Sequence, residues 1–165
     1  MSEAYLLLGS NLGNRAAILH AAVRQLATTA GTIEATSGLY ETAAWGLEDQ
    51  PAYLNQAVRL HTYLPPEALL NACQQAEQQA GRTRHIRWGA RTLDVDILLY
   101  DNLVLTTPRL TVPHPRLPER RFALLPLAEI AAAAVHPGLG RTVAELLAAC
   151  ADELPVTRIE LPPAA

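Results

Sequence analysis

Asp94 and Asp96 stand one residue apart, directly downstream of Arg82, Arg84, Arg87 and Arg91, four arginines in ten residues. If Asp94-Val95-Asp96-Ile97 is a strand, the two carboxylates point to one face while Val95 and Ile97 enter the opposite, apolar face. Two carboxylates about 7 Å apart repel by roughly 2 kcal/mol at an effective dielectric of about 20. A divalent cation turns that repulsion into attraction, and an oxygen-only donor set with room for water and phosphate suits Mg²⁺ better than Zn²⁺. Arginine forks upstream are well shaped for phosphate oxygens. The pattern therefore calls for a nucleoside polyphosphate bound through a metal. The competing reading is internal salt bridging between the acids and the arginines.

Other residues could serve a second substrate. Trp45, Trp88 and Phe122 are all expected in loops, where they either pin those loops to the core or offer stacking faces to a flat heterocycle. Tyr53 and Asn55 stand at the entry of a strand and could read the edge of such a ring by hydrogen bonds. His114, between Pro113 and Pro115 and amid Arg109, Arg116, Arg120 and Arg121, is either a plain loop histidine or a donor to phosphate. Gly9-Ser10-Asn11-Leu12-Gly13 lacks the spacing of the known phosphate-cradling loops and reads as a structural turn. No serine or cysteine nucleophile is paired with a nearby histidine base, so metal-assisted transfer to an incoming hydroxyl is the economical mechanism.

The bulk numbers narrow the field. Among 165 residues the formal net charge is −3, which argues against a general nucleic-acid binder, and 50% hydrophobic content supplies a real core. All thirteen basic residues are arginine, and the missing lysine excludes a Walker-type phosphate loop, a protein-kinase site and Schiff-base chemistry. Cys73 and Cys150 lie far apart without metal-ligand spacing and are expected to be small buried apolar groups. The N-terminus has no basic region ahead of its apolar run and no stretch reaches membrane-spanning length, so a soluble cytoplasmic protein is expected.

These residues need a scaffold. Tyr5 to Leu8 reads as a strand, followed by a turn and a helix carrying Ile18, Leu19, Ala22, Val23 and Leu26, with Asn11 or Asn14 as its cap. An extended segment spans Ile33 to Thr42, a loop spans Ala43 to Tyr53, and Leu54 to Thr62 alternates as a strand. Pro65-Pro66-Glu67 opens a helix with Leu69, Cys73, Ala76 and Ala80 buried and Gly81 closing it; Gln74 and Glu77 share a flank. After the aspartate strand, Asp101-Asn102 turns into a return strand from Leu103 to Leu105. Pro108 to Arg121 forms a long polar tract, helices follow at Leu124 to Ala134 and Thr142 to Cys150, and a proline-bearing tail ends the chain. Residues 1–165 read as one domain. The order β-α-β-β-α-β predicts a ferredoxin-like α+β sandwich with a mainly antiparallel sheet and an additional C-terminal hairpin and helices.

Taken together, the chain resembles the 6-hydroxymethyl-7,8-dihydropterin pyrophosphokinases of folate biosynthesis. The resemblance rests on Gly9 to Asn14, Tyr40-Glu41-Thr42, Asp49 to Asn55, Gln74 and Glu77, Gly81 to Arg84, Arg87 to Leu98, Leu110 to Pro115, and Arg120-Arg121-Phe122. It implies transfer of diphosphate from ATP to the pterin's hydroxymethyl oxygen, leaving AMP, with two Mg²⁺ held by Asp94 and Asp96 and with Arg82 and Arg91 closing over the phosphates. It assigns Gln74, Glu77, Arg84, Trp88, Ile97, Arg109, Thr111, His114 and Arg120 to the ATP side. Thr42, Ala43, Trp45, Tyr53, Asn55, Trp88 and Phe122 fall on the pterin side. The expected partners are these small molecules, with no nucleic acid or membrane, and a monomer is expected. Ala90 stands where the family often has proline, Ala43-Ala44-Trp45 replaces a proline-bearing pattern, and the arginine loop is one residue shorter than in some members. An Asp-x-Asp glycosyltransferase would need a larger nucleotide-binding domain. A single-stranded RNA module would need aromatics on central strands and a basic face.

Overall fold

In the computed structural model, which describes residues 1–42, 52–81 and 92–160, the apolar run at the N-terminus becomes the strand on which everything else is arranged. In chain order the elements are β1 (Ser2–Ser10), α1 (Arg15–Thr29), β2 (Thr32–Thr36), β3 (Leu39–Thr42), β4 (Tyr53–Thr62), α2 (Pro66–Gln79), β5 (Asp94–Tyr100), β6 (Leu105–Thr106), β7 (Thr111–Val112), α3 (Arg121–Ala131), β8 (Val135–His136), β9 (Arg141–Thr142), α4 (Val143–Ala149) and β10 (Val156–Ile159). A 3-10 turn at Leu117–Glu119 precedes α3.

The main sheet runs β10-β3-β4-β1-β5, with β2 also pairing with β4. Every pairing is antiparallel. Its β3-β4-β1-β5 portion is the ferredoxin-like order that the sequence predicts. Two cores flank the sheet. Leu6, Leu8, Val58, Leu60, Val95 and Ile97 pack with Leu19, Leu26, Leu69 and Cys73 of α1 and α2 on one side. Tyr5, Leu7, Ala57, Leu98 and Leu99 pack with Leu124, Leu127, Val143 and Leu146 of α3 and α4 on the other. The odd-even pattern of β1 thus sends alternate residues into different cores, which is why both faces of this strand are apolar.

Local signals hold at the helix ends. Asn14, rather than Asn11, caps α1 by accepting from Ala17 N at 3.1 Å. Thr142 and Glu145 form a reciprocal capping box at 3.1 and 3.0 Å, fixing the start of α4. Gly81, at φ +78°, takes the left-handed position after α2.

Several expectations are corrected. The single extended segment from Ile33 to Thr42 divides into β2 and β3, because Ser37 turns its backbone and hydroxyl onto Ala57 and Gly38 donates to Glu129. The predicted return strand at Leu103 to Leu105 does not pair with β5. Instead Leu105–Thr106 pairs with Thr111–Val112 in a separate two-stranded sheet. The outer edge of β5 is already taken, since Val95 N donates to Glu77 and Leu98 O accepts from His114 N. Helix α3 starts three residues early and ends at Ala131, where Ala132 and Ala134 accept from Ala144 N and Val143 N instead of continuing the helix. The alanine run favours helix; the packing of α4 against it overrides that propensity. The C-terminal tail forms an edge strand, β10, on β3. Cys73 is buried as expected, with its thiol pushed up to about 12 by burial and the neighbouring carboxylates; Cys150 is only half-buried.

Candidate active site

Among the described residues, the fold brings Thr42, Tyr53, Asn55, Asp94 and Asp96 to one end of the sheet face that carries α3. Cα partners across the strands run Asn55 to Gly9 to Asp94, and then Leu7 to Asp96. The strand alternation is realised as predicted: Asp94 and Asp96 are half-buried, and Val95 and Ile97 are buried on the α1/α2 side.

Gly9 is what lets this row form. A Cβ at Gly9 would stand 2.7 Å from Asn55 Oδ1, so a larger residue there would displace the amide from its place across β1. Asn55 is 4% exposed. Among the described residues its Nδ2 has no hydrogen-bond partner. An unsatisfied buried amide donor costs about 1 to 3 kcal/mol, and native structures retain such groups where a ligand completes them. Beside it on the same face lie Tyr53 and the buried Thr42, which are Cα partners at the joined ends of β4 and β3. Thr42 Oγ1 donates to Pro155 O at 3.1 Å.

The 113–122 tract closes the other side. His114 N donates to Leu98 O at 2.9 Å, tying the tract to β5, and the peptide between Val112 and Pro113 is cis. Burial, aided by the Arg120 cation, pushes the His114 imidazole down to about 4. The ring is therefore neutral at neutral pH. Its Nδ1 accepts from Arg116 N at 3.2 Å, which leaves the proton on Nε2 as a donor. Arg120 is half-buried; desolvation lowers its pKa, and the charges of Asp96, Asp94 and Glu119 act against this. Its Cζ also sits 5.4 Å from the centroid of Phe122. Phe122 lies in the first turn of α3, not in a loop, and packs partly on the α3/α4 core.

The nucleotide-side predictions divide. Glu77 is 5% exposed, and its carboxylate accepts from Val95 N at 2.9 Å, so it steadies the aspartate strand from behind. The Ile97 side chain is in the core, opposite Leu6, so what it offers outward is main chain between the Glu77 and His114 attachments. Arg109 is engaged on α2, with Glu67 at 3.0 Å, Asn71 at 2.6 Å and Gln74 at 3.4 Å. Thr111 is half-buried in β7. Ala43, Trp45, Arg82, Arg84, Trp88 and Arg91 lie outside the described residues, as do His85 and Ala90.

Sequence reading missed two anchors. Arg15, in the first turn of α1, donates to Ala52 O at 2.8 Å and pairs with Glu41 at 2.8 Å, joining the ends of β3 and β4. Asp152 holds the first residue of α3, with Oδ2 accepting from Arg121 N at 3.1 Å. Neither has a local motif; only the fold brings them to the site.

Two carboxylates on one strand face form an oxygen donor set compatible with Mg²⁺. Among the described residues no cluster of three or more His, Cys, Asp or Glu could enclose a metal. A divalent ion would thus have to complete its coordination with water and substrate oxygens, as Mg²⁺ at phosphate-transfer sites does. Among the described residues, too, no helix is long and apolar enough to cross a membrane.

A family model described as 7,8-dihydro-6-hydroxymethylpterin-pyrophosphokinase matches residues 5–132. The chain is 45% identical over 161 residues to a 2-amino-4-hydroxy-6-hydroxymethyldihydropteridine pyrophosphokinase of Methylorubrum extorquens, covering 97% of this chain and 100% of the relative. It is 50% identical over 128 residues to the Bacillus subtilis protein of the same name, covering 77% of each. Among solved structures, Plasmodium falciparum HPPK-DHPS with SDX-DHP superposes with a TM-score of 0.73 at 17% identity over 90% of this chain. This chain spans 43% of that longer one, and the likeness supports the fold.

Proposed function

Since the chain belongs to the 7,8-dihydro-6-hydroxymethylpterin-pyrophosphokinase family, we propose that it transfers the terminal diphosphate of ATP to the hydroxymethyl oxygen of 6-hydroxymethyl-7,8-dihydropterin, releasing AMP, with residues 1–165 acting as one catalytic unit. The hydroxyl attacks the β-phosphorus in line. The new O–P bond forms, the bond from that phosphorus to the bridging oxygen breaks, the bridging oxygen leaves on AMP, and the hydroxyl proton is lost.

The observation that carries this reading is the row Asn55–Gly9–Asp94 across three adjacent strands. It sets a buried, unsatisfied amide donor beside a paired-carboxylate strand, as a reaction between a polar heterocycle and a metal-bound polyphosphate requires. Asp94 and Asp96 would hold Mg²⁺, which when bound neutralises phosphate charge and polarises the phosphoryl group. Arg120 and the Nε2–H of His114 bind phosphate oxygens beside it. Asn55 reads the pterin edge, and Tyr53, Thr42 and Phe122 wall the ring. By family resemblance, Arg82 and Arg91 close over the polyphosphate, Arg84 and Trp88 join Gln74, Thr111 and the Ile97 backbone around the nucleotide, and Ala43 and Trp45 complete the pterin side. Glu77 acts behind β5, and Arg109 contributes to ATP only if it leaves its α2 partners.

The test is a product assay with ATP, Mg²⁺ and the reduced hydroxymethylpterin. AMP and the pterin diphosphate should appear in equal amounts and only when Mg²⁺ is present. Formation of ADP, or no consumption of the pterin, would overturn the proposal.

A further inference from the structure

We propose that the segment from Asp152 to Ile159, which lies beyond the residues matched by the family model, is a strap that sets the spacing of the pterin cleft, with Asp152 as its principal positioning residue. The inference rests on the pyrophosphokinase reading above and adds a specificity role for a part of the chain that reading does not use.

The cleft has two walls on different elements. Phe122 is on α3, whereas Thr42 and Tyr53 are at the ends of β3 and β4. One short stretch holds both. Asp152 grips the start of α3 twice, its Oδ2 accepting from Arg121 N at 3.1 Å and its main-chain oxygen accepting from Arg121 Nε at 3.0 Å. Its other carboxylate oxygen accepts from Leu154 N at 3.0 Å, which turns the chain toward the sheet. Three residues after Asp152, Pro155 O accepts from Thr42 Oγ1, and Val156 is the Cα partner of Thr42. Further along, Arg158 Nε donates to Glu129 Oε1 at 3.2 Å, and Glu129 also accepts from Tyr40 OH at 2.6 Å and Gly38 N at 2.8 Å. Helix α3 is thereby tied to β3 at its first turn and again near its C-terminal end.

The consequence follows from stacking geometry. A flat ring held between two walls needs them about 7 to 8 Å apart, two van der Waals contacts, and a gap error of 0.5 to 1 Å forfeits roughly a quarter to a half of each contact. The Asp94–Asp96 strand is attached elsewhere, through Glu77 and His114. Loosening the strap should therefore weaken pterin binding and spare ATP.

The experiment uses the full chain with Asp152→Ala, Asp152→Asn and Arg158→Ala, measuring KM for each substrate, kcat and Tm. Asp152→Ala should raise the pterin KM about tenfold, with the ATP KM and kcat within about twofold. Asp152→Asn keeps one acceptor oxygen and should raise it about threefold, as should Arg158→Ala, whose side chain is half-exposed. Proportional changes in both KM values, or an unchanged pterin KM in folded Asp152→Ala, would overturn the strap. If Asp152→Ala does not fold, an unchanged pterin KM in the other two variants overturns it equally. Absence of AMP formation by the unmodified protein would instead overturn the pyrophosphokinase reading.

Discussion

The proposed donor and acceptor sides of the site are held by opposite strategies. On the donor side, Asp94 and Asp96 ride on β5, whose backbone is fastened by β1 on its inner edge and by Glu77 and His114 on its outer edge. Of the side chains proposed to face the phosphates, His114 is fixed through its ring, whose Nδ1 accepts from Arg116 N. On the proposed acceptor side the walls come from strand ends and a helix start, and Asn55, the proposed reader of the ring, is left without a partner for its amide nitrogen among the described residues. Among the described residues, the proposed donor side rests on satisfied contacts, while the proposed acceptor side keeps one buried amide donor unsatisfied. Charge development falls on the phosphates, so rigidity is most useful there, whereas recognition of a neutral ring depends on an unpaired donor and a fixed gap.

The largest effect that separates the two sides comes from the carboxylates proposed to hold Mg²⁺. Asp94→Ala and Asp96→Ala should each lower turnover by about a thousandfold or more, with a far smaller effect on folding, because each removes a proposed Mg²⁺ ligand from the loaded protein. Steady-state AMP formation with calorimetry on the same samples checks this. Activity within tenfold of the unmodified protein in either variant would remove that residue from the metal site.

The next effect is on stability and belongs to the donor side. The folded state holds His114 near 4, below its ordinary value of about 6.5, by burial and by Arg120. The neutral ring therefore stabilises the fold fully above about pH 6.5, and that contribution is lost as pH falls from 6.5 toward 4. Two and a half units correspond to roughly 3 kcal/mol over the whole window. Urea unfolding without Mg²⁺ should show the unmodified protein losing about 2 to 3 kcal/mol more than His114→Gln between pH 7 and 4.5. Equal losses in the two proteins would mean that His114 is not buried in its neutral form.

On the acceptor side, Asn55→Ala should reduce kcat/KM for the pterin by about thirtyfold, or roughly 2 kcal/mol, the worth of a buried hydrogen-bond set. Stability should move the other way. Deleting a buried amide whose nitrogen has no partner among the described residues removes a desolvation cost, so Tm should hold or rise. A large Tm loss would show Asn55 to be structural.

These differences track what could be read before folding. Features settled within a few residues were legible: the alternation at Asp94 to Ile97, a cap for α1 at Asn11 or Asn14, and the clustering of Arg120 and His114 in one polar tract. What failed depended on competition between distant segments. The return strand at Leu103 to Leu105 had suitable residues, but Glu77 and His114 occupy the edge it needed. Val156–Ile159 has a strand's composition but no sign of its partner, and Asp152 has no motif that points to Arg121. Asn55 was singled out as a reader of the ring, yet its position over Gly9 required the β1–β4 register. Phe122, read as the end of the polar tract, lies instead in the first turn of α3, whose start carries no side-chain cap to mark it.

The smallest effect concerns Arg109, which resemblance assigns to ATP and the structure engages on α2. Its pair with Glu67 is at 3.0 Å, and both side chains are nearly half exposed, at 48% and 43%. Exposed pairs of this kind contribute about 0 to 1 kcal/mol. Their partners can be exchanged at little cost, but a charge held by Glu67, Asn71 and Gln74 is partly neutralised before any nucleotide arrives. Arg109→Ala should therefore raise the ATP KM by no more than about threefold, below 1 kcal/mol, with the pterin KM unchanged. An increase of tenfold or more, diminishing at high salt, would show that Arg109 abandons α2 for the nucleotide. The donor side would then include at least one residue that, like Asn55, makes its functional contact only when substrate is bound.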